Sequence, residues 1–401
     1  MSLAKRIVVC GGGAIGVAIA YFASRRGAQP IVIERHAIAG AASGKSGGFL
    51  ALDWCAGSLL DQLTRRSFEL HAELAAELGD RCGYRRLTTY GGYAVESDTA
   101  RSPGGRRWLS GRVTITGRLG SQETTALIEP RAFTTNLMRA AQAHGAELRH
   151  GTIVDLVRRP GGAVRGVVLA SREIVEGDAV VIAMGPWSIL ATRWLPLPPV
   201  FGYKGHSLVF KTGETVPAEA LFLEYREASG DILTPEVFPR ADGTTWVCAI
   251  SSPGPVPVNP SDVVPDEGAH ARLEAMCRNI SPALAAAPIT ARQVCFRPVT
   301  EDGMPLIGGG AGHGRCLRGD RPQRLGHAQR TCNRRGDNRA DPRRHNAPRR
   351  LGAVCSRAPG AARPVAAAWI LRLTSPSIKS IAVGPCNDPT CPVSAIGKPA
   401  D

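Results

Sequence analysis

The chain has 401 residues, of which 43% are hydrophobic and 21% are charged, with a formal net charge of +15. This composition is sufficient for two domains with hydrophobic cores, and it excludes a wholly disordered, collagen-like or coiled-coil protein. No apolar run reaches the roughly 18 residues that a membrane-spanning helix needs, and the N-terminal residues lack the layout of a signal peptide. We therefore expect a globular protein without a membrane span.

The positive charge is concentrated in one segment. Residues 311–370 contain 14 Arg, no Lys and 3 Asp, a balance of +11, so the other 341 residues carry only +4. A large positive charge is typical of proteins that bind nucleic acid or membrane surfaces. Here the basic segment lacks interleaved aromatic residues and any recognisable binding module. The sequence therefore predicts no nucleic-acid partner, although a genuine basic tail stays open as an alternative.

The eleven cysteines do not form a metal-binding pattern. The chain has no Cys-x-x-Cys pair and no Cys/His spacing typical of zinc sites, so we expect no metal. An odd number of cysteines without a secretory signal is typical of reduced thiols in the cytosol. We therefore expect a cytoplasmic protein.

A short β-branched run at residues 6–10 is typical of a buried parallel strand. The glycine-rich turn Gly11-Gly12-Gly13-Ala14-Ile15-Gly16 follows at once. A helical pattern then occupies residues 17–26, and a second strand at residues 30–34 ends in Glu34. This order of strand, glycine turn, helix and strand predicts a dinucleotide-binding unit.

Each residue type in this unit has a defined role. Gly11 permits the tight turn, Gly13 lets the backbone approach a pyrophosphate, and Gly16 allows the helix to pack closely on the strand. The helix N-terminus at Ala14 and Ile15 offers N–H donors and a positive dipole to the same anion. The glutamate that ends the second strand would accept hydrogen bonds from a ribose hydroxyl. These features alone leave NAD and FAD open as the cofactor.

A run of small residues at 40–49 comes soon after the ribose position, and its composition alone indicates a flexible loop. Together with the glycine turn and the Glu34-Arg35 pair, however, it resembles the start of the D-amino-acid-oxidase-like FAD family, which includes glycine oxidase and sarcosine oxidase. The resemblance implies FAD as the cofactor, with its pyrophosphate and flavin contacted by the backbone and serines of this loop. The matching cofactor-binding positions are Glu34, Arg35, Ser43, Ser46, Gly47 and Gly48.

The middle of the chain follows the family by order and spacing. Residues 59–78 and 133–144 have helical patterns, and residues 88–128 have the short alternating runs of antiparallel strands. The strand at 152–157 resembles the one whose backbone meets the adenine in the family. Val154 stands at the matching place.

A further buried strand leads into a tight turn at residues 179–188. This segment resembles the family's Val-Val-x-Ala-x-Gly-x-Trp motif, where the chain presses against the cofactor. The resemblance implies cofactor contacts at Ala183 and Gly185. We expect Trp187, a buried Trp after a strand, to belong to the core.

The substrate side is predicted from three alternating segments separated by Gly, Pro and Asp turns, at residues 202–212, 220–225 and 244–250. They indicate an antiparallel sheet, with a looser connection at residues 233–242. Tyr225 is a candidate catalytic residue on this sheet, and His206 is a further polar candidate. A structural role is the alternative for both.

Residues 295–308 form the second strong motif, Cys-Phe-Arg-Pro-Val-Thr-Glu-Asp-Gly-Met-Pro-Leu-Ile-Gly. They resemble the family's Arg-Pro-x-Thr-x-Asp-Gly-x-Pro-x-Ile-Gly, where the chain returns to the FAD domain. In glycine-oxidase-like members the Arg of this motif holds the substrate carboxylate, which implies that role for Arg297. A guanidinium can bind a carboxylate through two hydrogen bonds and so fix the α-carbon. A structural ion pair is the alternative.

The resemblance ends after Gly308. Family members continue with a Gly-His pair, Trp-Gly and a Pro-containing helix start that meets the flavin ring, whereas this chain becomes rich in Arg, Cys, Asn and His. When residues 317–336 are read one base further along, synonymous codons permit the string CVATGHSGWGMLNAPATGEA, which closely resembles the missing segment. We therefore hypothesise that the reading frame shifts between residues 308 and 317 and that the tail beyond is out of frame.

The sequence thus predicts an α/β fold, with a Rossmann-type FAD-binding domain and an inserted antiparallel-sheet substrate domain. The predicted segments are 1–87 and 129–200 for the FAD domain, 88–128 and 201–290 for the substrate domain, 291–310 for the return to the FAD domain, and 311–401 for the aberrant tail.

The predicted activity is oxidation of the C–N bond of a small amino acid or secondary amine to an imine, by hydride transfer to flavin N5. Oxygen or an electron carrier would then reoxidise the flavin. Because the segment that closes the flavin pocket is missing, the chain as written is predicted to bind FAD poorly. An NAD-dependent dehydrogenase and a basic-tailed nucleic-acid-binding protein are the alternatives.

Overall fold

The computed structural model describes residues 5–97 and 106–309. All of these residues belong to the same compact unit of the chain. The predicted aberrant tail, residues 311–401, lies outside the described residues. The structure therefore does not test the frameshift hypothesis, which concerns this tail.

The described residues form strands and α-helices whose bounds follow in chain order. The strands are β1 (Arg6–Cys10), β2 (Gln29–Glu34), β3 (Phe49–Ala51), β4 (Arg85–Arg86), β5 (Thr88–Val95), β6 (Val113–Gly120), β7 (Thr125–Leu127), β8 (Glu147–His150), β9 (Ile153–Arg158), β10 (Val164–Leu169), β11 (Ile174–Glu176), β12 (Ala179–Ile182), β13 (Phe201–Lys211), β14 (Glu219–Arg226), β15 (Ile232–Leu233), β16 (Glu236–Pro239), β17 (Thr244–Pro253) and β18 (Ile289–Val299). The helices are α1 (Ala14–Ser24), α2 (Ala42–Lys45), α3 (Asp61–Leu78), α4 (Pro130–Ala143), α5 (Ala269–Ile280) and α6 (Pro282–Ala286).

The N-terminal unit is a four-stranded parallel sheet in the order β12-β1-β2-β8. Strands β1, β2 and β12 are apolar on both sides because both faces are covered, whereas the edge strand β8 is mostly polar. Val9 and Val32 pack in one core with side chains of α1 and α4, and Val8 and Ile31 pack in another with the antiparallel sheet β11-β10-β9. This confirms the predicted Rossmann-type arrangement.

The contact between α1 and β1 depends on the last glycine of the turn. A Cβ atom on Gly16 would lie 1.9 Å from the carbonyl oxygen of Gly11, far inside van der Waals contact. Because Gly16 has no side chain, α1 can start directly against β1. The N-terminus of α1 then points at the space above the sheet.

The second unit is a large sheet in the order β18-β13-β17-β16-β14-β5-β6, with β15 paired to β14. Its pairs are antiparallel except for β14 and β5, which run parallel, so the predicted antiparallel sheet is mixed. These two strands come from separate chain segments and are not joined by a hairpin, so nothing forces them to run in opposite directions. Helices α5 and α6 cover one face of the sheet.

One local expectation is wrong. Residues 233–242 are not merely a loose connection, because β16 lies within them, fully buried and paired to both β14 and β17. The pattern misled because Pro235 precedes, and Pro239 ends, a buried strand of only four residues.

The return to the FAD domain over residues 291–310 stays a prediction. Within these residues, β18 pairs along β13 as an edge of the large sheet.

Candidate active site

One cavity of about 700 Å³ extends from the glycine-rich turn to the face of the large sheet opposite α5 and α6. Most of the residues predicted to bind cofactor or substrate line this cavity: Gly11, Gly13, Ala14, Ile15, Glu34, Arg35, Ser43, Ser46, Gly47, Gly48, Ala183, Gly185 and Arg297. Three separate stretches of sequence therefore meet at one place, as the family motifs require.

The glycines of the turn have no side chains between their backbone and the cavity. A Cβ atom on Gly11, whose φ is +109°, would lie 2.5 Å from the carbonyl oxygen of Ala183. One on Gly13 would lie 3.1 Å from Ser43 Oγ. The N–H of Ala14, at the start of α1, donates to that same Oγ over 2.9 Å. The turn, the serine and the helix N-terminus thus converge where an anion would be stabilised.

Glu34 is held rigidly at the end of β2. Its Oε2 accepts a hydrogen bond of 2.7 Å from the N–H of Gly12, and its Oε1 accepts one of 2.9 Å from the N–H of His36. Both N–H groups donate to the carboxylate and fix its orientation at the cavity wall. The side chain is therefore preorganised beside the turn.

Three predicted residues do not line the cavity. Gly16 lies beneath it, where it packs α1 on β1. The side chain of Val154 is 46% exposed to solvent, and its neighbours Gly151 and Ile153 line the cavity instead. Their position still brings this backbone segment to the cavity edge.

Tyr225 also lies elsewhere, and its predicted catalytic role does not match the structure. Its side chain is 1% exposed, in the core between the large sheet and α5, and its hydroxyl accepts a hydrogen bond of 2.8 Å from Asn279 Nδ2. Side chains alternate between the two faces of a strand. Because Phe222 faces the cavity, Tyr225, three residues later on β14, faces the opposite side.

The connection between β17 and α5 reaches across the cavity toward the parallel sheet. We call residues 254–265 the strap. Arg35 Nη1 donates to the carbonyl oxygen of Val258 over 2.6 Å, and Trp187 Nε1 donates to that of Pro257 over 2.8 Å. Pro260 contributes to the cavity wall. Arg35 therefore both lines the predicted cofactor site and fixes the segment that covers it.

His206 secures the end of the strap. Its Nε2 accepts a hydrogen bond of 2.9 Å from the N–H of Asp266, and its Nδ1 lies 3.3 Å from the carbonyl oxygen of Ile250. Burial lowers the pKa of His206, which favours the neutral imidazole, and that form matches one donor and one acceptor. His206 thus has a structural role at the cavity wall.

The face of the large sheet that lines the cavity carries the guanidinium of Arg297, predicted to bind substrate, and aromatic side chains. Arg297 is half-buried and donates through Nη2 to Ser251 Oγ. A Cβ atom on Gly205 would lie 3.3 Å from that same Nη2, so the missing side chain makes room for the guanidinium. Trp246 closes another side of the cavity and donates from Nε1 to the carbonyl oxygen of Lys45 over 3.1 Å.

Sequence reasoning missed a carboxylate and a thiol on this face. Glu236 is 6% exposed and Cys248 is 8% exposed, and both line the cavity. Cys248 Sγ donates to Glu236 Oε2 over 3.6 Å. Burial, and then the negative charge of Glu236, raise the pKa of Cys248 well above its ordinary value, so it is a thiol rather than a nucleophilic thiolate. In the sequence, the only indication of these two residues was Glu236 itself, an acidic residue in a segment predicted to be a connection.

Comparison with known families decides what kind of site this is. Residues 6–329 match the model of the family DAO, described as FAD dependent oxidoreductase. The chain belongs to this family. It is therefore an FAD-dependent oxidoreductase, as the sequence motifs implied.

Individual relatives support the same placement. A Schizosaccharomyces pombe protein named as an oxidoreductase is 27% identical over 337 residues, which cover 77% of this chain and 87% of the relative. The bifunctional protein ThiO/ThiG of Trichormus variabilis is 29% identical over 333 residues, which cover 76% of this chain and 48% of the relative. The chain thus spans about half of the length of that bifunctional protein.

Solved structures agree on the fold. Glycine oxidase from Bacillus cereus superposes with a TM-score of 0.63 at 21% identity, covering 76% of this chain and 88% of that one. Iminodiacetate oxidase from Chelativorans sp. superposes with a TM-score of 0.58 at 19% identity, covering 76% and 86%. These values show that this oxidoreductase has the fold of those enzymes.

The residues present fit FAD. The bare turn at Gly11 and Gly13, the N-terminus of α1 and the fixed carboxylate of Glu34 supply the anion-binding and hydroxyl-binding groups that a dinucleotide requires. The cavity continues from them to the sheet that carries Arg297. Within residues 5–97 and 106–309 no group of three or more His, Cys, Asp or Glu side chains is placed to hold a metal ion. In the same ranges no helix is both long enough and apolar enough to cross a membrane.

Proposed function

We propose that this oxidoreductase oxidises the C–N bond of a small amino acid or secondary amine to an imine, which water then hydrolyses. The observation that carries the proposal is the half-buried guanidinium of Arg297, which lies in the same cavity as the dinucleotide-binding turn. A guanidinium can bind a carboxylate through paired hydrogen bonds. The names of the structural neighbours, glycine oxidase and iminodiacetate oxidase, support a substrate of this class.

The side chains of the chain position the substrate. Arg297, oriented by its bond to Ser251, would bind the carboxylate and so fix the adjacent carbon. Phe222, Phe238 and Trp246 form an apolar wall that excludes water from that carbon. FAD, when bound, supplies the hydride acceptor. Oxygen or an electron carrier is proposed as the final acceptor, and a cytoplasmic location stays a prediction from the cysteine usage.

The activity is tested on FAD-loaded protein in which the reading frame after Gly308 is restored, by following flavin absorbance during anaerobic titration with a panel of amino acids and N-alkyl amino acids. We expect bleaching by at least one member of the panel. The variant Arg297→Met should raise the apparent Kd for that substrate about 100-fold, because a charge-assisted bidentate contact is lost. A flavin-loaded protein that no amine reduces would contradict the proposal. Nicotinamide binding without flavin would favour the NAD-dependent alternative.

We also propose that the chain as written binds FAD poorly: the family match extends to residue 329, but the residues after Gly308 lack the Trp-Gly pair and the Pro-containing helix start that the resemblance implies there. Resequencing the DNA that encodes residues 308–336 tests the frameshift directly. If no alternative frame encodes the expected segment, the hypothesis is wrong. We expect the frame-restored protein to purify yellow and the chain as written to purify colourless. A colourless restored protein that takes up no added FAD would contradict the flavin-binding role of that segment.

A further inference from the structure

The hairpin of strands β16 and β17 in the large sheet binds the backbone of the loop between α2 and β3. We call residues 45–48 the cofactor loop, and all four of them line the cavity. Trp246 on β17 donates from Nε1 to the carbonyl oxygen of Lys45 over 3.1 Å. Arg240, directly after β16, donates from Nη2 to the carbonyl oxygen of Ser46 over 2.8 Å. One hairpin therefore holds two successive carbonyl groups of the loop.

Arg240 is a buried cation whose hydrogen bonding is directed at this loop. It is 6% exposed and does not line the cavity. Within the part of the chain that the structure describes, its guanidinium donates one hydrogen bond, to Ser46, and its Nε has no acceptor. Its Nη1 lies 3.6 Å from Glu129 Oε1, farther than a hydrogen bond. A buried ion pair of this kind contributes little to stability, because removing both charges from water costs free energy. The contact that accounts for a guanidinium here is therefore the one to Ser46.

This contact sets the direction of the next N–H group. A trans peptide unit is planar, and its C=O and N–H bonds point in opposite directions. Because the carbonyl of Ser46 points at Arg240, the N–H of Gly47 points away from Arg240. Among residues 5–97 and 106–309, no acceptor binds this N–H. Since Gly47 lines the cavity, its N–H is a donor that a ligand in the cavity can satisfy.

Close packing keeps this peptide at the large-sheet end of the cavity. A Cβ atom on Gly47 would lie 2.8 Å from Trp246 Cζ3 and closer still to the ring of Phe238. The backbone of the loop therefore rests directly on these two rings. Ser43, four residues earlier, binds the N–H of Ala14 at the glycine-rich turn instead. The chain thus passes from the anion-binding turn to the large sheet between Ser43 and Gly47.

We propose that Arg240 is a positioning residue for the cofactor: it fixes the peptide between Ser46 and Gly47 so that the N–H of Gly47 donates to the riboflavin half of bound FAD. FAD is riboflavin joined to ADP. The glycine-rich turn, the N-terminus of α1 and Glu34 fit the ADP half. Gly47 lies beyond them, on the side of the large sheet. The inference concerns cofactor binding and does not depend on which substrate is oxidised.

The first test compares FAD with ADP, which lacks the riboflavin half. Affinities are measured by titration calorimetry on the full chain, both as written and with the reading frame after Gly308 restored. In either form we expect Arg240→Met to raise the Kd for FAD at least about tenfold, the effect of one lost hydrogen bond of the loop. The Kd for ADP should change less than about twofold, which also shows that the variant folds.

Two further variants separate this role from a general loss of charge. Arg240→Lys keeps a cation that can donate to Ser46, so its Kd for FAD should lie closer to that of the unaltered protein than to that of Arg240→Met. Arg226→Met removes a guanidinium from an exposed position of the large sheet outside the cavity, and it should change neither affinity.

The second test uses the unaltered sequence of the loop and so does not depend on the folding of a variant. Hydrogen exchange is followed by mass spectrometry in the fragment that contains residues 45–48. We expect FAD to slow exchange of one amide in this fragment at least about tenfold, because the N–H of Gly47 gains an acceptor. ADP should leave exchange in this fragment unchanged.

Several results would overturn the proposal. These are an unchanged Kd for FAD in Arg240→Met, equal weakening of FAD and ADP, exchange in residues 45–48 that FAD does not slow, and absence of FAD binding by both forms of the chain. The proposed function fails separately, if flavin-loaded protein whose FAD affinity depends on Arg240 is reduced by no amine. The two failures are therefore distinguishable.

Discussion

The Nη1 atom of Arg35 lies 2.6 Å from the carbonyl oxygen of Val258 and donates a hydrogen bond to it, so a residue at the end of the second parallel strand fixes the strap. The same guanidinium reaches Asn259 Oδ1 over 3.2 Å. The backbone of the strap is thereby held against the parallel sheet, although the side chain of Val258 itself is 59% exposed. These contacts hold the strap over the cavity together with the bond from Trp187 to Pro257 and the bond between His206 and Asp266 at its end.

We expect Arg35→Ala to release the strap. Loss of the two hydrogen bonds should increase the rate of limited proteolysis within residues 254–265 several-fold, because cleavage requires local opening. Mass spectrometry of the fragments identifies the cleavage site. Arg26→Ala, which removes an exposed guanidinium bound to the carbonyl oxygen of Phe22, is the control. Equal cleavage of the strap in both variants would show that Arg35 does not hold it.

Tyr225→Phe should affect stability and leave substrate binding unchanged. The substitution leaves the half-buried side-chain amide of Asn279 without its acceptor, at a cost of about 1 kcal/mol. Urea unfolding measures this loss, and flavin titration of the frame-restored protein with substrate measures binding. A large change in apparent Kd with intact stability would restore Tyr225 as a candidate for the site.

Gly16→Ala should destabilise the protein, although alanine is the better helix former by about 1 kcal/mol. The added Cβ would lie 1.9 Å from the carbonyl oxygen of Gly11, which is backbone and cannot rotate away. We expect a net loss of about 2 kcal/mol or more in urea unfolding.

The matched control is Gly13→Ala in the same turn. Gly13 has a φ of −77°, which alanine adopts freely, and its Cβ would lie 3.1 Å from the rotatable Ser43 Oγ. The expected loss is below about 1 kcal/mol. Similar losses in the two variants would contradict the close-packing role of Gly16.

His71 should make the stability depend on pH. The side chain is 2% exposed on α3, and burial lowers its pKa from 6.5 to about 4. The unfolded chain therefore takes up a proton near pH 6.5 that the folded chain refuses, so stability falls as the pH is lowered through this interval. The expected loss between about pH 7.5 and about pH 5 is about 2 kcal/mol.

Urea unfolding at the two pH values measures this loss. In His71→Asn the part that belongs to this residue should disappear, while other groups contribute the same slope as before. An unchanged difference between the two pH values in the variant would mean that His71 is not the group responsible.

The sequence best predicted the structural elements that are determined by residues adjacent in the chain. The strand at 6–10, the glycine-rich turn and Glu34 are adjacent, and local chemistry dictates their conformation, so the parallel unit was recognisable. Glu236 was not, because its place in the cavity follows from pairing with Phe222 and Cys248 on two other strands. The same reason explains Tyr225, whose type suited a catalytic role but whose face of the sheet was set by the strand register.

The parallel pair β5 and β14 also has a consequence for the order of folding. Thr88 pairs with Glu219, and the whole segment that completes the parallel sheet lies between them in the chain. During synthesis the hairpin β5–β6 emerges long before its neighbour exists, with the open edge of β5 able to pair with other chains. Such distant pairing is slow because a large loop must close first. We expect the nascent chain to be most prone to aggregation in this interval, before β14 is synthesised.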